Sequence, residues 1–343
     1  MTLVQWQTEL TAQGAHITNQ TVENFSNAAQ ELEATKQSNI VCDLSHLGLI
    51  SLHGEDAITF LQGQVTNDVK QLDSNQAHLS GYCTAKGRLL ALFLAFSYQS
   101  QIYLQLPRSL LTPITKRLKM YVLRSKVNID DMTDFKIQLG VSGPDAETIL
   151  SKLFSSIPVN NFQHISTEQT TILKLPSVNN LARYQLITSI KNASTLWHSL
   201  KSSCQPVGKS CWDWLEINAG IPEVVPETQE QFVPQMLNLD LLNGINFKKG
   251  CYTGQEIVAR THYLGSVKRR TFLAELTTSD LPKAGEKLLD QNKNEVGQIV
   301  RLVPNNNAGV DMLVELRIDA QQTGTIYWQD KLLSFKELPY SLV

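Results

Sequence analysis

Of the residues able to do chemistry, Cys251 has the densest setting, the stretch GINFKKGCYTGQEIVAR at 244–260. Thr253 and Glu256 form a T-x-x-E pattern, the signature of a capping box at a helix start. It predicts Thr253 as N-cap and Cys251 two residues ahead of the helix. Unpaired amides and the helix macrodipole favour negative charge there, and Lys248 and Lys249 add positive charge from the other side. Each influence favours the thiolate, the form in which cysteine is nucleophilic or redox-active. Gly250 and Gly254 permit close backbone approach or positive φ. A plainer reading uses the same residues: cysteine as a small packed hydrophobe, lysines on a solvated strand end, glycines in a turn. Local chemistry alone leaves both readings standing.

The other candidates are weaker. His46, His53, His78 and His262 show no metal-ligand spacing, so surface or core roles are expected, and no glycine-rich phosphate loop is present. Residues 116–126 (KRLKMYVLRSK) and 267–270 (VKRR) are basic clusters able to meet tRNA or an acidic partner. With a formal net charge of -2, a solvated helix face is the better reading, and direct nucleic-acid binding is not expected. The cysteines (Cys42, Cys83, Cys204, Cys211, Cys251) are an odd, scattered set without CxxC spacing. Such a set suits a reducing cytosol and argues against a disulfide framework, a structural zinc site or a self-contained iron–sulfur cluster.

Elements must position these residues, and 343 residues are enough for two or three domains. Hydrophobic content of 42% with 18% charge describes an ordinary globular protein. The first residues lack a basic and then apolar secretory pattern, and no apolar run approaches the roughly 20 residues of a membrane span. A cytoplasmic, membrane-free protein is therefore expected. The first forty residues read as one or two short helices. An extended apolar stretch then meets Gly54, and Asp56 opens a helical pattern with Ile58, Leu61 and Val65 on one face. Strands follow, turning at Ala85-Lys86-Gly87 and at 97–101. The next helical stretch contains Pro113, which must kink the helix or mark its true start. HGEDAITFL (53–61) and SGPDAETIL (142–150) share five of nine positions, either by chance or because two related α+β lobes are present. Beyond Gly265 six short runs separated by Gly, Asn and Asp read as a small antiparallel barrel or sandwich.

KGCYTGQEIVAR resembles the signature of the YgfZ family, K-G-C-[YF]-x-G-Q-E-x-x-A-R. WDWLEINAGIPEVV, FVPQMLNLDLLNGINF, ELPYSL and FLQGQVTNDV resemble that family as well, so the similarity runs from about Leu44 to Leu342. The resemblance implies the fold of the glycine-cleavage T-protein, an aminomethyltransferase that uses tetrahydrofolate. That fold class is α+β, a GcvT-like cloverleaf of two α+β lobes around a folate channel plus a small C-terminal antiparallel β-barrel. The expected division is residues 1–264 for the folate-binding region, with an internal boundary near 130–140, and 265–343 for the barrel.

The resemblance further implies a folate-binding accessory protein that supports iron–sulfur cluster assembly or repair and, through it, tRNA methylthiolation. Its implied partners are iron–sulfur proteins or their assembly machinery and tRNA-modifying enzymes, and its implied cofactor is tetrahydrofolate or a related folate. Cys251 matches the essential cysteine, and Lys249, Gly250, Tyr252, Gly254, Gln255, Glu256 and Arg260 match the rest of the motif. Trp212 matches a folate-associated tryptophan, while Leu47 stands where the family has a second one. T-proteins carry an acidic pair after a glycine turn, and here Ala91 and Leu92 occupy those positions. Without a carboxylate to act as base, aminomethyl transfer is not expected unless Asp68 or Asp73 substitutes. A folate-dependent one-carbon transferase of T-protein type is the alternative.

Overall fold

The computed structural model describes every residue except Asp73, Ser74, Leu264, Asn307 and Val343. Asp73, one of the two substitute carboxylates, therefore lies outside the described residues. The chain opens with helix α1 (Leu3–Ala12), the hairpin β1 (His16–Thr18) and β2 (Thr21–Asn24), and helix α2 (Ala28–Gln37). Strands β3 (Ile40–Asp43) and β4 (Leu47–His53) lead to helix α3 (Ala57–Gln62). Next come β5 (His78–Cys83), β6 (Leu89–Tyr98), β7 (Gln101–Pro107), helix α4 (Arg108–Met120) and β8 (Asn128–Asp131). A similar series follows: β9 (Lys136–Gly143), α5 (Ala146–Leu153), β10 (His164–Ser166), β11 (Thr170–Val178), β12 (Leu181–Ser189), α6 (Ala193–Lys201) and β13 (Gln205–Val207). Helices α7 (Lys209–Asn218) and α8 (Gln255–Tyr263) precede β14 (Arg269–Thr277), β15 (Lys287–Asp290), β16 (Glu295–Asn305) and β17 (Gly309–Arg317). Helix α9 (Ile318–Gln322), β18 (Ile326–Trp328), β19 (Lys331–Leu332) and β20 (Ser334–Lys336) complete the chain.

These elements form two compact units interleaved along the sequence: 1–57, 71–77 and 95–212 make the first, and 58–70, 78–94 and 213–343 the second. In the first unit, β10-β11-β12-β9-β3-β13 form one sheet, and β7, β4 and β8 lie side by side in another. Strand β3 pairs with β9 and β8 pairs with β4, although β3 runs directly into β4 and β8 into β9. Each short connection thus carries the chain from one sheet to the other. Buried glutamines help to hold this crossing: Gln138 donates to the Leu47 carbonyl at 3.0 Å and accepts from Gln105 at 2.6 Å. A core around Trp6, Leu139, Tyr184 and Trp197 fills the same unit.

The two echoing segments have the same geometry. Gly54 follows β4 at φ 121° and Gly143 closes β9 at φ 147°, each just ahead of a helix. A Cβ on Gly54 would lie 2.3 Å from the Lys126 carbonyl oxygen, and one on Gly143 2.4 Å from Asn39 Oδ1. Both glycines lie under the chain entering the neighbouring strand, β8 in one case and β3 in the other. Only a residue without Cβ fits there. Helix α3 is shorter than its apolar pattern, because Val65 lies beyond its end and Ile58 is 49% exposed. Helix α4 begins at Arg108 and continues through Pro113.

In the second unit, β19-β18-β15-β16-β17-β14-β20 form a nearly closed, barrel-like antiparallel sheet. Its first strand opens four residues after Gly265, and alternating side chains such as Phe272, Ala274, Leu276 and Val310, Met312, Val314 fill its interior. The run at 331–338 supplies two short strands, so seven strands stand where six runs were legible. No helix among the described residues is long and apolar enough to cross a membrane.

Candidate functional site

Two quoted motifs meet inside the second unit. The segment at 60–69 (FLQGQVTNDV) lies against the segment at 243–254, which carries the cysteine. Thr66, fully buried, donates through its hydroxyl to the Gly244 carbonyl at 2.6 Å, and Asn246 N–H donates to the Thr66 carbonyl at 3.0 Å. Asn67 Nδ2 donates to the Asn243 carbonyl at 2.7 Å, and Thr253 N–H to the Gly63 carbonyl at 3.3 Å. These bonds explain why residues 58–70 belong to the second unit although flanking sequence belongs to the first.

Lys249 completes the clasp. Its Nζ donates to the carbonyls of Gln62, Val65 and Asn67 at 2.8, 2.6 and 2.7 Å. Three donors on one ammonium match three acceptors of a loop that makes no regular ladder, so the side chain stands where a bound cation could. Burial draws its pKa down from 10.5 to about 8, while the charge of Asp68 opposes the change. Lys249 also lies 5.1 Å above the Tyr252 ring, whose hydroxyl burial pushes up. Asp68 itself accepts from Gln62 Nε2 at 2.9 Å and from Lys70 N–H at 3.1 Å. The lysine two residues before the thiol is thus spent on the loop, and Lys248 alone of the pair is exposed.

The glycines divide as well. Gly254 has φ 84°, and a Cβ there would lie 2.4 Å from the Thr84 carbonyl oxygen and 2.9 Å from Gly87 Cα. Gly87, at φ 68° in the turn between β5 and β6, faces it: a Cβ there would meet Ile257 Cβ at 2.9 Å. The expected turn at 85–87 therefore packs against the cysteine motif. Left-handed φ at Gly254 also prevents that residue from being the first helical one, so α8 begins at Gln255 and Thr253 falls outside the N-cap position. Gly250 is exposed with nothing within 4 Å of a Cβ, so neither positive φ nor close approach requires glycine there.

At the centre of this frame Cys251 is the exposed cysteine, while Cys42, Cys83, Cys204 and Cys211 are all buried. Burial pushes the Cys83 thiol up to about 12 and the Cys204 thiol up to about 11, which keeps both protonated and inert. Glu256 and Arg260 are exposed, one turn apart on α8, and form no ion pair among the described residues; Gln255 is half-buried. Beyond the thiol, Phe247 stacks on His262 with ring centroids 3.8 Å apart and planes at 11°. Tyr263 meets both rings edge-on. In the sequence, only their aromatic character on either side of the motif marks Phe247 and Tyr263.

Trp212 and Leu47, the positions that the resemblance links to folate, lie in the first unit. Trp212 lies at the end of the first turn of α7 and is 2% exposed. A Cβ on Gly140 would lie 2.4 Å from its benzo ring, and the Arg183 guanidinium lies 5.1 Å from its centroid. Leu47 starts β4 at 9% exposure, its carbonyl bonded to Gln138. Neither side chain presents an open face to a pterin, so these two residues do not by themselves fit a bound folate. Ala91 and Leu92 are buried on β6 in the second unit, with no carboxylate at either position.

Residues 4–246 match the family model described as the GCVT N-terminal domain. The tRNA-modifying protein YgfZ of Yersinia pseudotuberculosis serotype IB (strain PB1/+) is 34% identical over 316 residues, 87% of this chain and 92% of the relative. The chain belongs to the YgfZ family. Its counterpart from Yersinia enterocolitica serotype O:8 / biotype 1B is 32% identical over 333 residues, 92% of this chain and 97% of the relative. Among solved structures, the glycine cleavage system aminomethyltransferase T from Bartonella henselae shares the fold, with a TM-score of 0.81 at 17% identity. That match covers 98% of this chain and 97% of the other, so the GcvT-like fold extends over the whole of the chain.

Proposed function

We propose that this protein supports tRNA modification and that the Cys251 thiol is its working group, acting by maintaining the iron–sulfur proteins that carry the modification out. The tRNA side of this reading comes from the family and from the printed names of its relatives. The observation that carries the thiol is its exposure: four cysteines are sealed in cores, while the fifth is held at the surface by a clasp of two family motifs. A folate is the finer part of the reading. It is supported by membership in a fold group that uses folate, not by Trp212 or Leu47, which offer no open surface. Ala91 and Leu92 weigh against aminomethyl transfer, because two apolar side chains cannot accept a proton.

Complementation tests the reading. In cells lacking the protein, 2-methylthio nucleosides in bulk tRNA are measured by mass spectrometry after return of the wild type or of Cys251→Ala. Wild type restores the modified nucleosides and Cys251→Ala leaves them at the level of the deletion. Equal restoration by both removes the thiol's role, and no restoration by wild type removes the tRNA reading. Titration of the purified protein with tetrahydrofolate, followed by calorimetry, decides the folate part separately.

A further inference from the structure

We infer that the surface formed by Phe247, Lys248, Arg260, His262 and Tyr263, on the segments that flank the thiol in sequence, binds single-stranded RNA, with an unstacked base against the Tyr263 ring and flanking phosphates against Lys248 and Arg260. This rests on the tRNA reading above and names a direct contact that the overall charge of -2 does not lead one to expect. Three rings gather at one surface, Phe247 on His262 at 3.8 Å and Tyr263 against both, and Tyr263 keeps 63% of its surface exposed. An exposed ring backed by other rings is a rigid platform, and bases stack on such platforms whatever their identity. Lys248 and Arg260 are exposed and form no ion pair among the described residues, so both charges are available to phosphates.

The make-up of the surface favours RNA over a protein partner. Of the larger aliphatic side chains in α8, Val258 is fully buried and Ile257 is 38% exposed. The surface is aromatic and, apart from exposed Glu256 one turn from Arg260, cationic; rings and arginine occur in protein interfaces too, but lysine is depleted there and is drawn to phosphates. The basic stretches at 116–126 and 267–270 lack this arrangement: the Arg117 guanidinium already lies 5.6 Å from the Tyr121 ring, with Met120 and Leu123 59% and 87% exposed beside it, and Arg269 and Arg270 are paired with Glu315 and Asp240.

The test uses the full-length protein and a fluorescently labelled, unmodified tRNA transcript, followed by anisotropy across a salt series. Tyr263→Ala is expected to weaken binding about tenfold, the loss of one base stack, while Tyr263→Phe binds as wild type because the ring remains. Lys248→Gln combined with Arg260→Gln is expected to reduce the slope of log affinity against log salt by about 1.4, two single-strand phosphate contacts. Unchanged binding by Tyr263→Ala and by the double variant overturns the inference. So does displacement of the tRNA by polyglutamate as readily as by unlabelled tRNA, which would mark the surface as a site for acidic protein. The same variants separate this inference from the broader reading. If Tyr263→Ala and the double variant bind tRNA as wild type does while Cys251→Ala fails to restore modification, the RNA surface falls and the role of Cys251 stands. If wild type restores nothing while tRNA binding follows these residues, the broader reading falls instead.

Discussion

Trp212 and Cys251, the residues that the family resemblance places foremost, lie in different compact units and stand in opposite relation to solvent. The tryptophan is 2% exposed, pressed on Gly140 and covered by a buried arginine. The cysteine is exposed on a short loop, yet that loop is tied down by Lys249 to three carbonyls and by Gly254 to the turn at Gly87. Rigidity serves both places and is reached by different means. Large apolar contact fixes the tryptophan. Hydrogen bonds to backbone carbonyls and close glycine packing fix the loop, leaving the thiol free to meet a partner. A strong motif match therefore does not by itself separate a residue exposed at the surface from one that packs.

Three measurements bear on that contrast, in descending order of effect. Labelling of the native protein with a thiol reagent should modify Cys251 faster than the four buried cysteines by on the order of a hundredfold or more, since those need local opening. Comparable rates at a second cysteine would break the distinction. Trp212→Ala should cost about 3–5 kcal/mol in denaturant unfolding, the range for emptying a packed aromatic site. A loss below about 1 kcal/mol would show that the indole does not pack and would return it to the ligand reading. Gly254→Ala should cost about 1–3 kcal/mol, from positive φ and the crowded Thr84 carbonyl, while Gly250→Ala stays within about 0.5 kcal/mol. Equal effects at the two glycines would mean that the clasp does not depend on the approach of Gly254 to Gly87.

Much of the local architecture was legible. The runs after Gly265 became the strands of the barrel-like sheet, because alternation of apolar and polar side chains has the same period as the strand itself. The echo of 53–61 in 142–150 corresponded to two strand–glycine–helix units, each glycine at positive φ under an incoming chain. Other parts were hidden. The hairpin at 16–24 lies in a polar stretch with little alternation, and the exchange of β3 and β8 between sheets leaves no local mark. The capping pattern at Thr253 was misleading, because a local signal for a helix start cannot register that Gly254 must turn left-handed to reach Gly87.

By itself, the sequence determined the identity of the motif, the family, the absence of carboxylates at 91 and 92, and the kinds of element that follow one another. These depend on residue types and short spacings, which the linear chain carries directly. The tertiary structure alone decided that Lys249 serves the 62–67 loop and not the thiol, that Gly254 meets Gly87, and that Cys251 is exposed while Trp212 is buried. Each of those outcomes depends on partners nearly 30 to more than 180 residues away in sequence. Burial and hydrogen-bond satisfaction are properties of the packed whole, and they decide which matched residues are left free to act.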